Sequence, residues 1–160
     1  MGTKAFLKTP LGVACIQGSS TGVTSITIQD QMEEEIRSQS VSEDLKIPVE
    51  QLKEYFEGKR NHFTFNLNPS GTEFQRKVWS VLLQIPFGKT SSYLDIAKKL
   101  GDPKCIRAAA RANGKNPLWI VVPCHRVIGS NGELTGYAGG LWRKKWLLEH
   151  ESPVKQQQLF

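Results

Sequence analysis

The segment Ile120-Val121-Val122-Pro123-Cys124-His125-Arg126-Val127 restricts this chain more than any other. Its apolar start predicts a buried strand. Adjacent side chains on a strand point to opposite faces, so Cys124 and His125 can serve one site only where Pro123 ends the extended run. Beyond it, Gly129 and the turn Ser130-Asn131-Gly132 stop the segment. A thiol held this way has two readings. With a pKa near ~8.5 it is mostly protonated at neutral pH and needs a base or cation beside it to become the nucleophilic thiolate, a part open to His125 and Arg126. Without such help a lone cysteine is a small buried hydrophobe.

The 160 residues suffice for one compact unit or two small domains, and a hydrophobic share of 39% supplies a core. A net charge of +6 suggests a polyanionic partner, though many basic proteins of this size bind none. Cys15, Cys105 and Cys124 are too few and too scattered for a disulfide framework, and none has zinc-finger spacing, which points to a reducing compartment. No signal peptide and no apolar run near the ~18 residues of a membrane span is visible, so a cytoplasmic protein without membrane contact is expected.

The chain reads as α+β. Residues 1–67 form a small module of short strands and one helix. Strands are expected at Ala5 to Leu7, Val13 to Ile16 and Val23 to Ile28, with Cys15 in the core. Glu33-Glu34-Glu35 reads as a solvated loop or helix end, and Pro48 as the first residue of a helix to Glu57, with Val49, Leu52, Tyr55 and Phe56 as its apolar face. Asn68-Pro69-Ser70-Gly71 is linker chemistry opening a mostly helical domain, 68–152, with a frayed tail at 153–160. Thr72 and Gln75 make a capping-box pattern before Phe74, Val78, Leu82 and Ile85 at helical spacing. In the last helix Trp142, Trp146, Leu147 and Leu148 are expected inside, with Arg143, Lys144 and Lys145 towards solvent or phosphate.

Between these helices a short helix from Ser91 to Leu100, a turn at Gly101, and a second helix opened by Asp102 and Pro103 and running to about Asn113 give a helix-turn-helix pattern. The second helix, Arg107-Ala108-Ala109-Ala110-Arg111-Ala112, has almost no side chain able to read base edges. Small residues let a backbone come close to a groove only about 6 Å wide, so binding should follow phosphates and shape rather than sequence.

Together, Pro123-Cys124-His125-Arg126-Val127, the run Gly136-Tyr137-Ala138-Gly139-Gly140 and a helix ending His150-Glu151 resemble the O6-alkylguanine-DNA alkyltransferases, over about Thr72 to Glu151. The resemblance implies direct-reversal DNA repair: one alkyl group passes from O6-alkylguanine, and from O4-alkylthymine, in double-stranded DNA to the protein's own cysteine, in a single turnover by a monomer without cofactor. It implies that Cys124 accepts the alkyl group, that His125 is its base through a water, that Glu151 orients His125, and that Tyr93 helps rotate the nucleotide out of the duplex and meets the base. Arg107 becomes the finger that fills the vacated space, with Ala108, Ala109, Arg111, Asn113, Gly114 and Lys115 also at the DNA. Asn116 becomes a hinge. Val127, Tyr137, Ala138, Gly139 and Trp119 are expected around the base; Trp119 either lines the alkyl pocket or packs beneath the active-site strand. Read without the resemblance, Arg107 is a phosphate contact, Tyr93 a core residue and Asn116-Pro117 a turn.

The sequence departs from parts of that family. Cys15 alone in the first module predicts no metal, and no added regulatory domain is visible. Relatives that flag lesions without repairing them carry tryptophan in place of the cysteine, which Cys124 opposes. A helix-turn-helix regulator would need base-reading side chains, and a cysteine hydrolase would turn over repeatedly.

Overall fold

The computed structural model describes residues 3–30, 39–130, 132, 137 and 140–152. They divide into two compact units. The expectations for Glu33-Glu34-Glu35, for Gly136, Ala138 and Gly139, and for the tail lie outside the described residues.

The first unit comprises residues up to 70 together with 117–121. Strands β1 (Thr3–Thr9), β2 (Gly12–Ser19) and β3 (Gly22–Gln29) form an antiparallel meander in that order, with Phe6 opposite Cys15 and Ile16 opposite Ile26. Val13 to Ile16 are all buried, as a central strand requires when both its faces are covered. The outer edge of β1 is closed by a side chain: Gln39 accepts from Phe6 N–H at 2.8 Å and donates to Phe6 C=O at 2.7 Å. The outer edge of β3 is closed by backbone. Val23 N–H donates to Asn66 C=O, Ile26 N–H donates to Pro117 C=O at 2.8 Å, and Trp119 N–H donates to Ile26 C=O at 3.1 Å.

Helix α1 runs Glu43–Phe56, so Pro48 lies inside it rather than at its start. Proline there forfeits one backbone hydrogen bond. Burial at Leu45, Pro48, Leu52 and Tyr55 makes one continuous stripe, which favours continuing the helix through the proline; Val49 is only half-buried.

The second unit comprises residues 71–116 and 122–160. Helix α2 (Glu73–Leu82) has the full capping box, Thr72 Oγ1 accepting from Gln75 N–H and Gln75 Oε1 accepting from Thr72 N–H, each at 3.0 Å. Val78, Trp79, Leu82 and Ile85 are buried, whereas Phe74, in the first turn, is exposed. Ser91–Ser92 form a two-residue strand, β4, instead of a helical turn; Ser92 then caps α3 (Tyr93–Lys99) by accepting from Asp95 N–H at 3.0 Å. Gly101, at φ 96°, turns the chain in a conformation costly for other residues. Asp102 accepts from Lys104 N–H, and a 3₁₀ turn (Pro103–Cys105) leads into α4 (Ile106–Gly114). Trp79 Nε1–H donates to Ala112 C=O at 2.9 Å and ties α4 to α2. The last helix, α5, spans Leu141–Glu151. No helix among the described residues is long and apolar enough to cross a membrane.

Candidate active site

The expected strand before the cysteine is absent. Only Leu118 bridges β3; residues 119–122 turn, with Ile120 at φ 71° and Val121 N–H donating to Trp119 C=O at 2.8 Å. A β-branched residue held there carries backbone strain of roughly 1–3 kcal/mol, offset by burial of the whole run. Cys124–Arg126 form a 3₁₀ turn, after which Val127–Ile128 (β5) pair in parallel with Ser91–Ser92. That ladder joins the start of α3, at Tyr93, to the segment that follows the Cys124 turn.

The histidine and the glutamate come together inside the second unit, next in sequence to Cys124. His125 is fully buried, and its Nε2 lies 2.8 Å from Glu151 Oε2. Arg126 does not face the thiol as its sequence neighbourhood suggests. Its guanidinium grips Glu151, with Nε to Oε1 at 2.7 Å and Nη2 to Oε2 at 3.0 Å, and Nη1 donates to Ile85 C=O at 2.7 Å. Burial alone would raise the Glu151 pKa; the His125 hydrogen bond and the Arg126 charge outweigh it and hold the carboxyl down to about 2. An ionised Glu151 requires the proton on His125 Nε2. Nδ1 is then a bare acceptor, buried and without a hydrogen-bond partner among the described residues. Burial also lowers the His125 pKa, so the ring stays neutral.

Burial raises the Cys124 pKa, opposed by the Asn116 side chain, the Lys144 charge, the local backbone and the Tyr137 side chain. Asn116 Nδ2 also donates to Val122 C=O at 2.7 Å, so one amide braces the turn and the thiol. The cation that meets Cys124 is therefore Lys144, a residue whose sequence pattern turns it towards solvent. It is 0% exposed; burial lowers its pKa and the Cys124 charge raises it. The inner face of α5 is Arg143, Lys144, Leu147 and Glu151, while Trp142 is 57% exposed and Trp146 stacks on His150 at 4.8 Å. Hydrophobicity misassigned this helix because Lys144 and Glu151 are met by Cys124, His125 and Arg126 of another segment. Spacing held the signal: Lys144, Leu147 and Glu151 share one stripe, so an inward Glu151 brings Lys144 with it.

On α4, Arg107 and Arg111 are exposed on one face, continued by Gly114 and Lys115, with Ala108 partly exposed. Ala109 and Asn113 are turned into the core against α2, which removes their side chains from a groove-facing surface. Trp119 belongs to the first unit, where its ring packs on Phe56 at 6.1 Å. Charge is divided between the units: fourteen of the 21 lysines and arginines, but six of the 15 acidic residues, lie in the second.

Two family models match the chain, the ribonuclease-like domain of 6-O-methylguanine DNA methyltransferase over residues 3–69 and its DNA-binding domain over 73–153. The methylated-DNA–protein-cysteine methyltransferase of Methanosarcina acetivorans is 41% identical over 150 residues, covering 92% of this chain and 96% of that protein. That of Mycobacterium leprae is 44% identical over 147 residues, 91% of this chain and 89% of the relative. Among solved structures, the O6-methylguanine methyltransferase of Mycobacterium tuberculosis superposes with a TM-score of 0.82 at 37% identity over 100% of both chains. The Mycobacterium tuberculosis protein in complex with DNA gives 0.82 at 38% identity, over 98% of this chain and 99% of that one.

Proposed function

Because this chain belongs to the 6-O-methylguanine DNA methyltransferase family, we propose that its Cys124 is the alkyl acceptor and that the groups around it divide the work as follows. The protein repairs DNA by moving a methyl group from O6-methylguanine to a cysteine of its own. The observation that carries the residue assignment is the 2.8 Å contact between His125 Nε2 and Glu151 Oε2, one position after the buried Cys124.

Arg126 fixes Glu151, Glu151 fixes His125 with Nδ1 free to accept, and Nδ1 takes the thiol proton through a water, the nucleophile, base and orienter logic of a triad. The thiolate attacks the methyl carbon. A sulfur–carbon bond forms, the carbon–oxygen bond breaks, and its electron pair leaves with guanine. Tyr93 donates to the departing ring, and the proton taken from the thiol balances the charge on the base. Lys144 stabilises the thiolate before attack. Carbonyls at Cys124 and Val127 accept from the guanine amino group, with Tyr137, Ala138 and Gly139 over the base. An O4-alkylthymine presents the same alkyl–oxygen bond, and the proposal extends to it. A thioether has no route back, so each chain acts once. Work through a free thiol suits the reducing cytoplasm.

A stacked base cannot reach a buried thiol, so the nucleotide must leave the duplex. Arg107, exposed on α4, is proposed to fill its place, and Asn116 to hold the junction between α4 and the cysteine turn. Incubation with methylated DNA should raise the intact mass by one methyl group per chain and then stop; a second methyl group, or one on Cys15 or Cys105, would refute the assignment. Arg107→Ala should slow repair of duplex far more than reaction with the free modified base, since only the duplex pays for extrusion. Lys144→Met should move the pH profile of thiol alkylation to higher pH, slowing the neutral reaction by roughly tenfold per unit of thiol pKa.

A further inference from the structure

The outer face of the helix-turn-helix holds a feature that the chemistry at Cys124 does not use. An open cleft of about 380 Å³ runs between the end of α2 and the outward side of α3, and its polar lining is Gln84, Thr90, Ser91, Asp95, Lys98 and Lys99. Both lysines are exposed, and neither has an ion-pair partner among the described residues. They are not needed to finish the helix either. The last carbonyls of α3 are already taken, Ile96 by Leu100 N–H at 3.0 Å, Lys98 by Gly101 N–H at 3.0 Å and Ala97 by Asp102 N–H at 3.2 Å.

We infer that this cleft is a second phosphate site for the DNA backbone, separate from the face of α4, with Lys98 and Lys99 as its cations. The inference rests on duplex DNA being the partner, as proposed above. In a helix-turn-helix the first helix crosses the backbone while the second enters a groove, which assigns the outward side of α3 to phosphate rather than to bases. Thr90, Ser91 and Gln84 add neutral donors to the same cleft, the inventory that phosphate oxygens accept. Asp95 is the one anion in the lining, so two lysines leave the cleft with a net positive charge while the carboxylate opposes an arriving phosphate. That opposition gives the site a signed test: removing the carboxylate should strengthen binding to DNA and would weaken binding to any cationic partner.

The full-length protein should be titrated with an undamaged duplex across about 50 to 200 mM salt, the range over which phosphate binding is read. Lys98→Ala/Lys99→Ala should flatten the plot of log affinity against log salt by about 0.9 for each phosphate no longer neutralised, so that affinity changes roughly tenfold less over that range than in the wild type. Lys46→Ala/Lys59→Ala, which removes two exposed lysines of the first unit, should leave the slope alone. Asp95→Asn should tighten binding. An unchanged slope in the Lys98/Lys99 variant, an equal loss in the Lys46/Lys59 control, or weaker binding of the duplex by Asp95→Asn overturns the site. Lys98→Gln and Lys99→Gln singly should each give about half the effect. Transfer from free O6-methylguanine should be unaffected in every variant. Normal salt behaviour with no transfer to Cys124 would count against the proposed chemistry and leave this site standing.

Discussion

Cys124→Ser abolishes alkyl transfer while leaving DNA affinity intact: the expected loss of rate exceeds about four orders of magnitude, the scale on which removal of a nucleophile acts. A serine hydroxyl in the same buried position has neither the softness nor the acidity of the thiol, and a neutral His125 is too weak a base to ionise it. Since α4 with its exposed Arg107 and Arg111 is untouched, the variant should still bind duplex with the wild-type salt dependence. Intact mass after exposure to methylated DNA reads the first half and fluorescence anisotropy the second. Transfer by the serine variant, or loss of both properties together, would remove Cys124 from its role.

Arg126→Met should cost about 3–5 kcal/mol of stability, because it strands Glu151, whose side chain is 2% exposed, without the guanidinium that grips both its oxygens. Adding Glu151→Met to that variant should restore most of the loss, since an apolar pair of similar size leaves no charge uncompensated; transfer should stay absent. Acid acts on the same cluster. The Glu151 carboxyl is held at about 2, below its ordinary 4.5, so its contribution is complete above 4.5 and disappears as the pH falls towards 2. His125 works in the same direction from a higher starting point, because below 6.5 the unfolded chain takes up a proton that the buried ring resists. Urea midpoints for the wild type and the two variants between about pH 7 and 3 test both statements, and the pH dependence should be smallest in the variant lacking both charges.

The sequence was most legible where local chemistry decides structure. The capping box at Thr72 and Gln75 and the left-handed turn at Gly101 both sit where their side chains require. It was least legible where long-range partners overrule local preference. Pro48 reads as a helix start, yet burial carries the helix through it from Glu43. Ile120 to Val122 read as a strand, yet pairing with β3 stops at Trp119 and the chain then turns. Lys144 reads as a surface residue because nothing near it in sequence explains a buried amine; the thiol that does lies on another element. The partnership of His125 with Glu151 was visible from resemblance, whereas the clamp of Arg126 on Glu151 needed the fold.

The edge of β3 bears on how the chain can be divided. A single cut after residue 70 looks natural, but the segment 117–121 that satisfies Ile26 is encoded beyond the helix-turn-helix. A fragment ending there would present Ile26 N–H and C=O on an open strand edge, an invitation to pair with a second copy. The first unit can therefore be expressed alone only with residues 117–121 supplied, by a linker after residue 70 or as an added peptide. For the same reason the ribosome must have made the cysteine's immediate approach before the amino-terminal sheet can be finished.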